Sequence, residues 1–172
     1  MKQSRGVTCY VRKNVGNAFC AFRKGTNNMP KVIAVCTSKA KGEVKTPVDE
    51  IKLIKNFGIE SDAHAGEGNR QVSILANESV DKIREKMPEI TAGAFAENIL
   101  TSGICLHEQN LGTKLRIGDA LLEITKIGKN CHNEGCAIKR QTGDCVMPRE
   151  GIFAAVLEEG TIRPDMEISI EE

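Results

Sequence analysis

Residues 112–132 read GTKLRIGDALLEITKIGKNCH, and this stretch decides the fold. Leu115 and Ile117 alternate with charged residues, Gly118 and Asp119 supply a turn, and Leu122 and Ile124 resume the alternation. A period of two on both sides of a short glycine-containing loop predicts a β-hairpin. The second arm runs straight into Gly128, so it delivers Cys131 from the end of a strand onto a loop. A loop carried by a rigid scaffold is the usual place for functional residues.

Working outward, residues 128–151 (GKNCHNEGCAIKRQTGDCVMPREG) concentrate the chemistry of the chain. They hold Cys131, Cys136 and Cys145 of the seven cysteines, His132 of the three histidines, and Lys129, Lys139, Arg140 and Arg149. A thiol reacts or binds metal as the thiolate, which neighbouring positive charge favours. The composition suits a thiolate that attacks, carries sulfur or ligates a soft metal. Packing as small core residues is the competing reading for Cys136 and Cys145. The spacing C-x4-C-x8-C falls partly outside the paired C-x2-4-C pattern of zinc sites and lacks a second close pair. Nor is it the C-x-x-C of thiol oxidoreductases.

A second polar cluster lies upstream at residues 60–66, ESDAHAG. Asp62 or His64 could orient a ligand or a catalytic partner, or the segment could simply turn through local Ser and Asp side-chain bonds. Arg70 follows, with a guanidinium suited to phosphate or carboxylate. Residues 95–100 (FAENIL) read as a strand candidate interrupted by the polar pair Glu97 and Asn98. Burying such a pair is costly unless both find partners, so they brace a loop or line a ligand cavity. His107 reads as part of a solvated turn, and Cys36 and Cys105 as small core residues.

The remaining pattern is orderly. Residues 31–36 (KVIAVC) read as a strand, residues 37–47 as a loop, and Ile51 and Leu53 as a half-buried strand ending near Gly58. Residues 71–75 read as another strand. Asn77 is expected to cap a helix running to about Met87, with Val80, Ile83 and Met87 as its apolar stripe and Pro88 as its stop. Residues 152–157 suit a strand or a short helix, and Met166, Ile168 and Ile170 a closing strand. Many short strands and one good helix predict a mainly β barrel or sandwich.

At 172 residues the chain can bury a proper core. Its net charge of +1 conceals an asymmetry. Residues 1–28 carry six Lys/Arg and no acid, which leaves residues 29–172 at a net −5. The body therefore gives no electrostatic reason to expect nucleic acid. Nothing approaches the ~18 consecutive apolar residues of a membrane span, so no membrane partner is expected. An odd cysteine count without a secreted-scaffold pattern points to free thiols and a cytoplasmic location. Residues 1–28 are expected to be a disordered leader or a mis-called start, with Met29 the functional start; a transit peptide is the other reading. Motifs for a P-loop, a serine-hydrolase elbow or a dinucleotide fold are missing.

Taken together, residues 58–66 (GIESDAHAG), 70–75 (RQVSIL), 95–106 (FAENILTSGICL), 112–132 and 143–157 (GDCVMPREGIFAAVL) resemble the MOSC domain, named for the C-terminal domain of molybdenum cofactor sulfurases. The resemblance spans roughly residues 30–170, in the small stand-alone bacterial form. It implies a mainly β, barrel-like domain over residues 29–172, with one or few short helices. It further implies molybdenum cofactor binding or the handling of sulfur destined for it, through one cysteine. Cys131 falls on that cysteine, Glu97 and Asn98 on the family's Glu-Asn pair, and Asp62 on the Asp of its glycine-aspartate turn. Ser61 and Ala96 stand where glycines are common. Asp62, His64, Arg70, Glu97, Asn98, Lys129, His132, Arg140 and Arg149 are the candidate cofactor-binding residues. Cys131 is the expected molybdenum ligand, with Cys136 and Cys145 as alternatives. No pyridoxal-phosphate site is expected in this chain. The implied partners are a cysteine desulfurase or other sulfur donor, and a molybdoenzyme or cofactor-biosynthesis protein. Two other readings stay open: a molybdenum-dependent reductase of N-hydroxylated compounds, and a zinc-stabilised interaction module.

Overall fold

A computed structural model of the chain describes residues 29–131 and 136–171. The leader expectation for residues 1–28 and the role assigned to His132 lie outside the described residues.

In the described chain, short strands follow one another: β1 (Lys31–Thr37), β2 (Thr46–Val48), β3 (Ile51–Ile54), β4 (Gly58–Ile59) and β5 (Val72–Ala76). Helix α1 (Asn77–Arg84), β6 (Ile99–Ser102), β7 (Lys114–Ile117) and β8 (Ala120–Ile127) come next. Two short helices, α2 (Ala137–Thr142) and α3 (Met147–Glu150), then precede β9 (Ile152–Glu158), β10 (Gly160–Ile162) and β11 (Ile168–Glu171).

The hairpin forms as predicted. Leu115 pairs with Leu122 and Ile117 with Ala120. Gly118 takes φ +58° at the first loop position, where a II′-type hairpin turn needs a residue tolerant of positive φ. The hairpin is the seed of an eight-stranded sheet in the order β11-β7-β8-β9-β5-β6-β1-β2, with β10-β3-β4 as a smaller second sheet. Neighbours in the large sheet are antiparallel except β5 and β6, which run parallel. A bridge between Lys31 and Glu167 brings the start of β1 against the approach to β11. There the Val32 N–H donates to Met166 O at 2.9 Å and the Ile168 N–H to Pro30 O at 2.8 Å. The sheet thus curls toward a barrel and meets itself at one bridge, without pairing along the full strands.

Alternation puts apolar residues on both faces of the central strands. Val35, Val72, Ile74, Ile99, Leu122, Ile124 and Val156 fill the interior of the curl. Leu75 and Leu100 point the other way and pack with Val80 and Ile83 of α1, with Phe95, and with Ile138, Val146 and Met147 of the later helices. β5 is consequently buried at all five positions. A strand covered on both faces loses the hydrophobic–polar alternation that a half-exposed strand displays. The ion pair Lys82–Glu150, at 2.8 Å, ties α1 to α3 across this outer layer.

Three local expectations are corrected, and one open alternative is settled. Asn77 is the first helical residue and not the cap; its amide donates to Asp81 and accepts from Arg84 within α1. The run at 95–100 begins as a turn, and the strand starts only at Ile99. Residues 152–157 form a strand and not a helix, because β9 inserts between β8 and β5. Cys36 is a core residue, whereas Cys105 is half-buried and disulfide-bonded, so it is not a free thiol.

The two glycine departures in the family pattern have different physical weight. Ser61 is not among the described non-glycine residues with positive φ, but Ala96 sits at φ +61°. A left-handed conformation costs an L-residue roughly 1–2 kcal/mol. Ala96→Gly is therefore expected to stabilise the fold by about 1 kcal/mol, after the extra entropy glycine gains when unfolded is discounted. In urea denaturation this appears as a higher midpoint with an unchanged slope; a lower midpoint would refute it.

Candidate functional site

Where β1 ends and β5 and β6 begin, the polar residues singled out in sequence converge on one buried carboxylate. Asp62 is 8% exposed and lies in the turn after β4. Its Oδ2 accepts from the Ser38 N–H at 3.0 Å, the Lys45 ammonium at 2.5 Å and the Asn98 amide at 3.2 Å. Its Oδ1 accepts from the His64 N–H at 3.0 Å. Burial pushes this carboxyl up, but the Lys45 ammonium and the His64 and Ser38 N–H groups outweigh it and hold it below the usual aspartate range. The Lys45 and Asp62 side chains are each 2% exposed. Such a pair survives burial only when hydrogen bonds satisfy the rest of the charge, as these donors do.

Asn98 locks the cluster to the sheet. Its amide also donates to Cys36 O at 3.1 Å, while its Oδ1 accepts from the N–H and the hydroxyl of Ser73 at 3.2 and 3.0 Å. Its backbone bridges Ser73 O and the Cys36 N–H. Glu97 is fully buried. Its oxygens accept from the Gly93 N–H at 2.6 Å and the Phe95 N–H at 3.0 Å, closing the turn that places Asn98. Burial pushes the Glu97 carboxyl above its ordinary value despite those bonds. The bonding capacity of Asp62, Glu97 and Asn98 is thus turned inward, toward bracing three loops. Gly93 must be glycine here: at φ +88° an added Cβ would sit 2.0 Å from Lys45 O. One buried group beside the cluster remains without a partner, the Ser38 hydroxyl.

His64 is the member that faces solvent, with its side chain 39% exposed. Lys45 Nζ lies 3.4 Å from its Nδ1. Burial and the charges of Lys45, Lys129 and Lys41 lower its pKa, against the pull of Asp62.

The segment after β8 leaves the strand through Gly128 at φ +79°, where an added Cβ would lie 2.5 Å from Pro148 O. Its backbone is pinned by Gly128 N–H to Gly151 O at 2.7 Å and Lys129 N–H to Met147 O at 3.1 Å. Here a cleft of about 330 Å³ is lined by Lys129, Cys131, Cys136, Lys139, Cys145 and Arg149, among others. All three thiols are free. Cys131 and Cys136 are half-buried against the outer core, and Cys145 lies within it at 8% exposure. Burial raises the Cys145 pKa, and the charges of Cys131 and Cys136 add to the effect. Cys36, by contrast, is sealed in the interior, where burial and the Glu97 charge push its thiol up to about 12 despite Lys45.

The structure gathers the candidates unevenly. Lys129, Cys131, Cys136, Cys145 and Arg149 share the cleft. Arg149 is held there by Asp144 through paired bonds of 3.0 and 2.8 Å. Arg70 stacks on the Phe153 ring, 5.3 Å from its centroid, and Arg140 is exposed on α2; neither lines the cleft. His107 has a buried Nδ1 without a hydrogen-bond partner, which departs from a solvated turn. Among the described residues no group of three or more His, Cys, Asp or Glu is set to hold a metal ion. Lys45, Ser38 and Ser73 escaped the sequence reading. Lys45 lies in a polar loop among other lysines, and only its burial against Asp62 distinguishes it.

Asp62→Asn leaves Lys45 buried without a counter-charge, so a loss of about 3–5 kcal/mol at neutral pH is expected. The folded-state pKa of Asp62 is depressed, so its contribution is fully present above the ordinary value of 3.8 and lost as pH falls through the folded value. Urea midpoints of wild type and variant should therefore converge in that acid window. Parallel pH profiles would show that the pair is energetically silent.

Comparison with known proteins agrees with this architecture. The family model of the MOSC domain matches residues 61–169. No curated protein matches the chain significantly. Among solved structures, the YuaD protein of Bacillus subtilis superposes with a TM-score of 0.70 at 20% identity, over 83% of this chain and 96% of that one. YiiM of Geobacillus stearothermophilus gives 0.64 at 23% identity, over 83% and 75%. YiiM of Escherichia coli gives 0.59 at 20%, over 84% and 71%. At such identities the superpositions speak for the fold, while the family model covers well over half of the sequence. The chain belongs to the MOSC-domain family.

Proposed function

We propose that the protein binds the molybdenum cofactor in the cleft beyond β8 and handles sulfur for it through Cys131. The observation that carries this reading is the lining itself: three thiols meet Lys129, Lys139 and the Asp144-paired Arg149 in one concavity. The MOSC family is linked to the molybdenum cofactor.

The donor set fits such a group. A thiol is a soft ligand, suited to a metal already held by sulfur. Lys129, Lys139 and Arg149 offer positive charge to a phosphate. When bound, the cofactor supplies a metal centre whose sulfur and oxo ligands can be exchanged. The chain's own residues do the rest. Cys131 serves as metal ligand or carries sulfur as a persulfide. Lys129, Lys139 and Arg149 neutralise and orient the anionic tail. Asp62, Lys45, Asn98 and Glu97 hold the loops around His64 in place. Arg70 and Arg140, outside the cleft, are secondary candidates for the same anion. The sulfur comes from a cysteine desulfurase or another donor protein, and the loaded cofactor goes to a molybdoenzyme or cofactor-biosynthesis protein. Among the described residues no helix is long and apolar enough to cross a membrane.

Incubation with molybdenum cofactor, followed by elemental and pterin analysis of the desalted protein beside Cys131→Ala, tests the reading. Near-stoichiometric molybdenum and pterin in wild type, with molybdenum lost in the variant, is expected. Equal retention in both would move binding to the pterin contacts and leave Cys131 to sulfur alone. Zinc in place of molybdenum would favour a structural site.

A further inference from the structure

The three thiols of the cleft are more than one carrier needs. Cys131 and Cys136 both reach the cleft half-buried and line the same concavity. Cys145 shares the lining but is 8% exposed, packed with Leu75, Val80 and Phe95. Among the described residues these sulfurs belong to no group of three or more His, Cys, Asp or Glu set to hold a metal ion.

We propose that Cys136 is a resolving thiol that releases the sulfur carried by Cys131 as hydrosulfide, within the same cleft. This rests on the reading of Cys131 as a sulfur carrier. In the step, the Cys136 thiolate attacks Cys131 Sγ of the persulfide Cys131–Sγ–SH. The bond between Cys131 Sγ and the terminal sulfur breaks, and a Cys131–Cys136 disulfide forms. The electron pair of the broken bond leaves with the terminal sulfur as HS⁻. Cys136 sulfur is oxidised, the terminal sulfur is reduced, and the oxidation level of Cys131 is unchanged. The persulfide is the oxidant, so no other is needed. An external dithiol reductant then restores both thiols by exchange. Lys129 and Lys139, on the same lining, place positive charge where the anion is released. Cys145 is the less accessible sulfur, and its participation would require opening the outer core.

The test uses the full chain, loaded anaerobically with inorganic polysulfide and desalted. Free sulfide is assayed over time, and non-reducing peptide mapping locates added sulfur and new disulfides. Wild type is expected to release sulfide and accumulate the Cys131–Cys136 disulfide. Cys136→Ser is expected to keep the added sulfur on Cys131, with release slowed by at least about tenfold. Cys145→Ser should behave as wild type; should it fail to fold, the wild-type disulfide map still decides between the two partners. A wild-type protein that holds a stable Cys131 persulfide without a disulfide overturns the inference and leaves the carrier reading intact. A Cys131–Cys145 disulfide overturns the role given to Cys136. If Cys131 takes up no sulfur even in Cys136→Ser, the carrier reading fails together with the inference.

Discussion

A negative charge kept inside the fold organises this protein. Asp62 is almost sealed from solvent, yet it stays ionised because the Lys45 ammonium, the Asn98 amide and two backbone N–H groups surround it. Those donors come from the end of β1 and the loop after it, the turn after β4 and the residue before β6. Removing Lys45 leaves a buried charge without its counter-ion, the costliest kind of local defect. The carboxylate therefore specifies where three otherwise irregular segments must meet, and does so more sharply than apolar packing would.

The sheet makes such a cluster possible. β5 and β6 are covered on one face by the interior of the curl and on the other by α1 and the short later helices. Loop ends beside doubly covered strands are held on two sides, so side chains there can be placed firmly without being part of regular structure. Glu97 exemplifies this: its carboxylate replaces the missing ladder bonds of the Gly93 and Phe95 N–H groups, and Ala96 accepts a left-handed conformation to let it do so. An alanine held at positive φ there shows the turn enforced by its surroundings, since local preference opposes it.

The cleft beyond β8 has the opposite character. Its reactive groups sit on a segment anchored by Gly128 and Lys129 to α3 and its end, and are otherwise supported by the outer core.

Much of this was legible in the amino-acid sequence. The hairpin at residues 112–127, the placement of Cys131 just past it, and the mainly β class followed from a period of two and from glycine turns, because these depend on near neighbours. The family followed from the order of its motifs. Glu97 and Asn98 stood out as polar residues in an apolar run, but whether they braced a loop or faced a ligand was open. The tertiary structure decided that, since it depends on donors from Gly93, Ser73 and Cys36 and on the acceptor Asp62, all distant along the chain or hidden in turns. It likewise decided that Lys45, one lysine among many in a polar loop, is the buried counter-ion. It also separated Cys136 and Cys145, which look equivalent in sequence but differ in depth. Burial and long-range pairing are properties of the folded assembly, and local pattern carries no record of them.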